Sequence, residues 1–232
     1  MKSCLVDIHT HSAEKSPHIR LFNVLVKPGE EVFPPQGIWF SCGFHPWYLS
    51  QPFCPEQHLQ QLELPATHSH CLALGEAGLD KRTHTSWDIQ LKFFEMQVGL
   101  SERLQKPLII HCVKAFDEIL SIRKSHSCQQ PWIVHGFNSS EQMAGQLARA
   151  GILISLGHHL LSESFRLRHL LESLPLESFF LETDDSSIAI EEIYKAAASI
   201  RGESLEELAT GLYDNFIRIF QPPHQKYTNP LL

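Results

Sequence analysis

Short runs of apolar residues recur along the chain, and polar or helix-forming sequence separates them. Continuous runs of this kind, rich in β-branched residues, are typical of strands that are buried on both faces of a parallel sheet. The pattern predicts eight strands, over residues 4–9, 19–26, 38–45, 71–76, 107–111, 132–135, 151–157 and 179–184.

Helical periodicity fills several of the intervening segments. After the fourth run, apolar residues follow spacings of three and four, which predicts an amphipathic helix through Trp87, Leu91, Phe94 and Val98. Between the sixth and seventh runs, Ser139 precedes Gln142 by three residues. This resembles a capping box and predicts a helix that starts at Ser139 and stops at Gly151.

Two more helices are predicted near the C-terminus. The first has an apolar stripe at Ile190, Ile193, Ala197 and Ile200. Gly202 is expected to end it, because glycine readily adopts the left-handed conformation of a helix C-terminus. Ser204 and Glu207 then form a second capping-box pattern, which predicts that the final helix begins there.

The order of these elements favours an α/β fold, a (β/α)8 TIM barrel. The gaps after the first two runs are short and rich in proline and glycine, so we expect a distorted barrel with shortened early connections. An open doubly wound sheet is the alternative. No linker or low-complexity run interrupts the sequence, which predicts a single domain over residues 1–232.

Composition excludes some classes of protein. No apolar stretch approaches the length of a transmembrane helix, so no membrane association is expected. The six cysteines form no CxxC pair, which favours reduced thiols and a cytoplasmic location. The net charge of −7 argues against tight binding of duplex nucleic acid. It leaves open a nuclease whose bound metal ions supply positive charge locally.

The polar residues that end the predicted strands carry the candidate chemistry. In a barrel, all strand C-termini lie on one face, where active sites are built. His9 and His11 are two residues apart and therefore point to one side of an extended segment. The side chains expected to converge are those of His9, His11, Glu76, His111, His135 and Asp184. Taken singly, each histidine could be an ordinary hydrogen-bonding residue, and each carboxylate a helix cap.

Four histidines and two carboxylates exceed the needs of one tetrahedral ion. Two divalent ions that share a carboxylate bridge are therefore predicted, with their identity open among Zn, Mn, Mg, Fe and Co. Two such ions activate a water molecule and stabilise both the attacking and the leaving oxygen. The expected chemistry is hydrolysis of a phosphoester, an amide or an ester.

At these residues the chain resembles the TatD-type metal-dependent hydrolases, a branch of the amidohydrolase-like TIM barrels that is associated with deoxyribonuclease activity. Seven features match in order along nearly the whole chain. They are VDIHTH at 6–11, GFHP at 43–46, LGEAGLD at 74–80, Gln90 with its helix, PLIIH at 107–111, VHGF at 134–137 and LETD at 181–184.

The resemblance implies a role for each residue of the motifs. One ion would be bound by His9, His11 and Asp184, and the other by His111 and His135, with Glu76 bridging the two. Asp184 and Glu76 would be the catalytic carboxylates, because Asp184 would also orient or deprotonate the attacking water. His45 would contact the scissile phosphate.

The chain departs from the family pattern in its shortened early helices, in an abbreviated segment after Asp80 and at three motif positions. Val113 stands where family members often have arginine, and Lys114 beside it is the remaining candidate for a substrate contact. The sixth-strand motif continues as His135-Gly136-Phe137 rather than in the family form HCFSG, and no proline follows Asp184. These departures concern substrate specificity, because none of the proposed metal ligands is lost.

The function expected from the resemblance is hydrolysis of phosphodiester bonds in DNA by metal-activated water, in the manner of an exo-type deoxyribonuclease. The acidic chain should hold DNA or another phosphodiester weakly, and no obligatory protein partner is evident. One alternative is an amidohydrolase-type enzyme that cleaves amides or esters of small molecules. Another is a metal-binding protein without catalytic activity.

Further polar and aromatic residues adjoin the motifs, and each has two interpretations. Asp7 and Asp80 could orient ligand imidazoles or serve as caps and structural hydrogen-bonding groups. Trp47 and Tyr48 could stack on a nucleobase or form a packed aromatic pair at the surface. The histidines that could either touch substrate or simply lie in a loop are His158 and His159.

Overall fold

The computed structural model describes residues 4–49, 52–162 and 165–222. Its eight strands form one parallel sheet in which each strand pairs with the next along the chain. Every strand lies within or overlaps a predicted apolar run. The strands are β1 (Val6–Thr10), β2 (Ile19–Leu25), β3 (Phe40–Gly43), β4 (Cys71–Asp80), β5 (Leu108–Val113), β6 (Trp132–Val134), β7 (Ile152–Leu156) and β8 (Phe179–Leu181).

The sheet closes on itself at the C-terminal ends of its first and last strands. Thr10 at the end of β1 forms a parallel bridge with Asp184, just beyond β8. The backbone N–H of His11 donates to the Asp184 carbonyl at 3.0 Å, and the Asp184 N–H donates to the His9 carbonyl at 2.9 Å. This seam confirms the TIM barrel and excludes the open doubly wound sheet.

A helix follows every strand from β3 onward, and one more helix ends the described chain. The helices are α1 (Pro55–Ala66), α2 (Trp87–Leu104), α3 (Phe116–Ser125), α4 (Glu141–Arg149), α5 (Phe165–Ser173), α6 (Ile190–Arg201) and α7 (Leu205–Phe220). None of those in the described ranges is long and apolar enough to cross a membrane. The connections after β1 and β2 contain no helix, as their proline and glycine content predicts.

Helix boundaries follow the capping signals with one exception. Ser204 and Glu207 form the predicted capping box at the start of α7, with both reciprocal hydrogen bonds present. At α4 the predicted cap, Ser139, is wrong by one residue. Ser140 is the N-cap, because its side chain accepts a hydrogen bond from the Met143 backbone N–H at 3.2 Å.

An apolar layer inside the barrel supports the polar ends of the strands. Alternate residues of a strand share a face, so the residue two positions before a site residue lies beneath it. Ile109, Ile133 and Phe180 occupy these positions, and all three belong to one buried apolar cluster. Two residues further along the chain, and therefore on the same face, lie His111, His135 and Glu182. The fold therefore places a polar layer on a solid apolar base.

Candidate metal centre

The six predicted ligands converge at the mouth of the barrel. Their nitrogen and oxygen atoms form three overlapping groups, in each of which all atoms lie within 4.8 Å of one another. His45, predicted as a substrate contact, joins the same array. The groups are His9 with His11 and Asp184, His9 with Glu76 and His135, and His45 with Glu76 and His111.

Glu76 is the centre of this array, and its two carboxylate oxygens face different histidines. Oε1 lies 2.8 Å from His111 Nδ1, 2.8 Å from His135 Nε2 and 3.0 Å from His45 Nε2. Oε2 lies 3.4 Å from His9 Nε2 and 3.7 Å from His11 Nε2. The carboxylate therefore stands between two sets of imidazoles.

Asp184 completes the set on the Oε2 side. Its Oδ1 atom lies 3.5 Å from His9 Nε2 and 3.4 Å from His11 Nε2, and its side chain is 29% exposed. The neighbouring Thr183 holds this segment, because its backbone N–H and hydroxyl both donate to the Asp7 carboxylate, at 3.0 and 2.7 Å. Asp7 thus anchors the β8 end rather than an imidazole.

Asn23 in β2 orients Glu76, a role that sequence reasoning missed. Its side-chain N–H donates to Glu76 Oε2 at 3.2 Å, and its Oδ1 accepts from the Glu76 backbone N–H at 3.0 Å. Asn23 is buried. The available signal was an amide side chain within the apolar second run, since a buried polar group needs a partner.

Two histidines on the Oε1 side are supported by carboxylates behind them. His111 Nε2 lies 3.1 Å from Asp80 Oδ2, which is the orienting role considered for Asp80. His135 Nδ1 lies 3.6 Å from the Oε1 atom of Glu182, a fully buried residue that sequence reasoning did not assign. A carboxylate that is hydrogen-bonded to an imidazole fixes the orientation of the ring as a metal ligand, as Asp80 does for His111. At His135 the contact is longer, and Nδ1 has no hydrogen-bond partner in the described ranges.

His45 is held in a different way. Its Nδ1 accepts a hydrogen bond from the Trp47 backbone N–H at 3.1 Å, so in the neutral ring the proton resides on Nε2. Burial lowers the pKa of His45, which favours this neutral form. Because Nε2 carries the proton and faces the array, His45 is arranged as a hydrogen-bond donor. A donor suits the predicted contact with a phosphate oxygen better than a metal ligand.

The remaining predicted contacts lie at the rim. Lys114 is exposed immediately after β5, on the same side of the barrel as the ligand array. His158 and His159 form part of a single 3-10 turn after β7, with ring centroids 4.2 Å apart. All three lie outside the three ligand groups.

The electrostatics of the array favour a bound cation. Hydrogen bonds from His11 to Asp184 and Glu76 raise the pKa of His11 to about 9. Burial would lower the pKa of His135, but the Glu76 and Glu182 carboxylates outweigh burial and raise it. The histidines in turn hold the pKa of Glu76 and of Asp184 below the usual range despite burial. The carboxylates thus draw positive charge into the site.

The chemistry of the donors also fits a metal ion. Both ring nitrogens of His9 are buried and have no hydrogen-bond partner in the described part of the chain. Buried polar atoms without a partner are rare and costly in folded proteins. A divalent ion bound at Nε2 would satisfy one of these atoms, and imidazole with carboxylate is a common ligand combination for such ions.

Comparisons with known proteins match this site and this fold. The family model described as TatD related DNase matches residues 30–221. The "uncharacterized metal-dependent hydrolase YcfH" of Escherichia coli (strain K12) is 28% identical over 197 residues, which cover 78% of this chain and 73% of that protein. The "3'-5' ssDNA/RNA exonuclease TatD" of Pectobacterium atrosepticum is 27% identical over 173 residues, which cover 73% of this chain and 66% of that protein.

Among solved structures, the TatD homologue YjjV of Escherichia coli K12 superposes with a TM-score of 0.74. The alignment covers 88% of this chain and 87% of that chain, at 24% sequence identity. At this identity the likeness establishes the shared barrel fold.

Proposed function

Because the chain belongs to the TatD-related DNase family, a family that includes metal-dependent hydrolases, we propose that it cleaves phosphodiester bonds at the ends of nucleic acid strands with two divalent metal ions. The chain is a hydrolytic enzyme by family membership. The number of ions, the bond that is cleaved and the roles of individual residues are the substance of the proposal.

The observation that carries the proposal is the division of histidines between the two oxygens of Glu76. A carboxylate that bridges two ions offers one oxygen to each. On the Oε2 side, one ion would be held by His9, His11 and Asp184. On the Oε1 side, a second ion would be held by His111 and His135, each with a carboxylate behind it.

The protein side chains would divide the remaining work of hydrolysis. When bound, the two ions would supply Lewis acidity toward the phosphate and lower the pKa of the attacking water. Asp184 is the partly exposed carboxylate of the array, and its lowered pKa keeps it ionised. With Oδ1 turned toward His9 and His11, its other oxygen would accept the proton of the attacking water. His45 Nε2–H would donate a hydrogen bond to a phosphate oxygen.

Single-stranded DNA or RNA is the proposed substrate. The Pectobacterium relative is named as a 3'-5' exonuclease on single-stranded DNA and RNA, which supports this choice. The connections after β1 and β2 contain no helix, which would leave room for a flexible strand end on that side of the mouth. Zn, Mn, Mg, Fe or Co would serve as the metal, since each accepts imidazole or carboxylate ligands.

The test is substitution of the bridging carboxylate by its uncharged isostere. Glu76→Gln should lower metal content and reduce turnover of a single-stranded oligonucleotide by at least about a hundredfold, because even residues that only support a ligand cost 10–100-fold. The protein should remain folded by circular dichroism. Glu63→Gln is the matched control, since Glu63 pairs with Arg103 on the surface and lies outside the three ligand groups.

Two measurements complete the test. Anomalous scattering from crystals should show two ions beside Glu76, and simple esters and amides should be turned over far more slowly than the oligonucleotide. Near-normal, metal-dependent activity of Glu76→Gln would contradict the bridging role. Faster cleavage of esters or amides than of oligonucleotides would replace the nuclease with an amidohydrolase-type enzyme.

A further inference from the structure

Trp47 is a large apolar side chain that is exposed at the edge of the ligand array. It is 54% exposed, whereas Trp39 and Trp132 are buried in the core. It follows His45 and Pro46 directly, in a short 3-10 turn after β3. Its ring centroid lies 4.9 Å from that of His45 and 5.7 Å from that of His111. An exposed aromatic ring therefore lies directly beside two histidines of the ligand array.

The indole is held in place by a buried carboxylate. Trp47 Nε1–H donates to Asp80 Oδ2 at 2.6 Å, and Asp80 is only 2% exposed. The same oxygen faces His111 Nε2 at 3.1 Å. One carboxylate therefore fixes both a candidate metal ligand and the tryptophan, and it couples their positions.

The indole is held at its N–H edge while about half of its surface stays exposed. The N–H edge points inward to Asp80, and the ring stands nearly perpendicular to the imidazoles of His45 and His111, at 86° and 79°. The neighbouring Tyr48 differs, because the ammonium of Lys27 lies 5.3 Å over its ring. Trp47 thus presents a fixed, exposed aromatic surface beside the place where a phosphate would react.

We propose that Trp47 is the stacking platform for the nucleobase next to the scissile phosphate, and that Asp80 is the positioning residue that holds it. The inference rests on the proposed nuclease function and names how the substrate is recognised. Every base has an aromatic face, so stacking accepts any sequence. Stacking also needs no basic residues, which suits a chain with a net charge of −7 and with valine at position 113.

The experiment compares two single-stranded oligonucleotides that differ only in the terminal nucleotide, which either carries its base or is abasic. Trp47→Ala should raise KM for the base-bearing strand roughly five- to hundredfold, the range expected for loss of one base–aromatic stack, with kcat little changed. KM for the abasic strand should stay within about twofold of wild type. Trp47→Phe keeps an aromatic face but lacks the N–H. Its KM for the base-bearing strand should fall between the values of the wild type and of Trp47→Ala.

A binding measurement provides a readout that does not depend on turnover. In the metal-loaded protein, with strands made resistant to cleavage by phosphorothioate linkages, the base-bearing strand should quench tryptophan fluorescence, and the abasic strand should quench it much less. The substitution Trp47→Phe should remove most of the quenching, although three other tryptophans remain. Tyr213→Ala, at an aromatic residue of α7 that is 37% exposed, should change neither KM nor quenching.

The outcomes separate this inference from the proposed function. An unchanged KM for the base-bearing strand in Trp47→Ala, or an equal rise for both strands, would overturn the stacking role. Loss of bound metal in Trp47→Ala would assign the residue to support of His111 instead. If the wild-type protein cleaved no oligonucleotide, the proposed function would fail, and the fluorescence titration would still decide whether Trp47 stacks on a base.

Discussion

Four histidines of the array differ in the group that faces the ring nitrogen pointing away from Glu76, and this difference indicates different roles for them. The Asp80 carboxylate is hydrogen-bonded to His111, and the Glu182 carboxylate lies 3.6 Å from His135 Nδ1. A backbone N–H stands behind His45 and places the proton on the nitrogen that faces the site. His9 Nδ1 has no partner in the described ranges. The rings thus divide into two candidate ligands with a carboxylate behind them, one hydrogen-bond donor, and one candidate ligand with no such group.

Metal binding should release protons at neutral pH. A raised pKa means that an imidazole is still protonated at pH 7 in the metal-free protein, and His11 has a pKa of about 9. Only the neutral ring binds a metal, so loading must displace the proton, and affinity must fall as the pH is lowered below 9. Titration calorimetry in buffers of different ionisation enthalpy should report at least about one proton released per protein.

The control for this prediction is His11→Ala, which removes the raised imidazole and should reduce the number of protons released. A binding enthalpy that is the same in all buffers would show that the histidines are already neutral in the metal-free site.

At the scale of elements, β4 and β5 approach each other unusually closely at the site. Gly78 in β4 has φ of +157°, and a Cβ atom there would collide with the backbone oxygen of His111 in β5. Glycine is therefore required for the strands to pair at this point. The close approach brings the strand that carries Glu76 against the strand that carries His111.

Gly78→Ala should force these two strands apart. We expect a loss of about 1–3 kcal/mol in the free energy of unfolding, the usual cost of imposed backbone strain, together with weaker metal binding. Thermal unfolding and metal titration measure the two effects. Gly99→Ala is the control, because Gly99 lies within α2 with open space around it. Alanine there should be neutral or should stabilise the protein by up to about 1 kcal/mol. Equal stability of the two variants would contradict the close-packing argument.

The sequence predicts strands, helices and candidate ligands well where the pattern lies within a short stretch of the chain. Apolar runs locate all eight strands, and the polar residue that ends a run indicates a candidate ligand, because a barrel directs all such ends to one face. The roles of Asn23 and Glu182 could not be predicted, since each depends on the register between strands far apart in the chain. The cap of α4 was misplaced because Ser139 and Ser140 carry the same signal, and only the phase of the helix selects between them.

At the scale of the whole molecule, charge limits how nucleic acid can be held. The chain has 19 lysines and arginines against 26 acidic residues. Binding that depends on neutralised phosphates weakens steeply with salt, by a slope of about −0.7 per contact for single strands. Few such contacts are available to an acidic chain. In the proposed nuclease, affinity would therefore come mainly from ions at the candidate metal centre and from stacking on Trp47.

We expect the salt dependence of substrate binding to be shallow. A plot of log KM against log salt concentration for a single-stranded oligonucleotide should have a slope of about 1–2, which corresponds to two or three phosphate contacts. If the exposed Lys114 contacts one phosphate, Lys114→Ala should lower this slope by about 0.7, the contribution of one contact. A slope above about 5 would indicate an extended basic groove that the charge of the chain does not suggest.

The seam between β1 and β8 gives the metal a mechanical role. The residues whose backbones join the first and last strands are His9, His11 and Asp184, and their side chains are also the ligands proposed for one ion. An ion there would link the two ends of the sheet, so β1 and β8 could separate only if the ion dissociated. A ligand that binds only the closed form opposes opening in proportion to its concentration. Metal supply would thereby govern how long the enzyme survives proteolysis, independently of how fast it works.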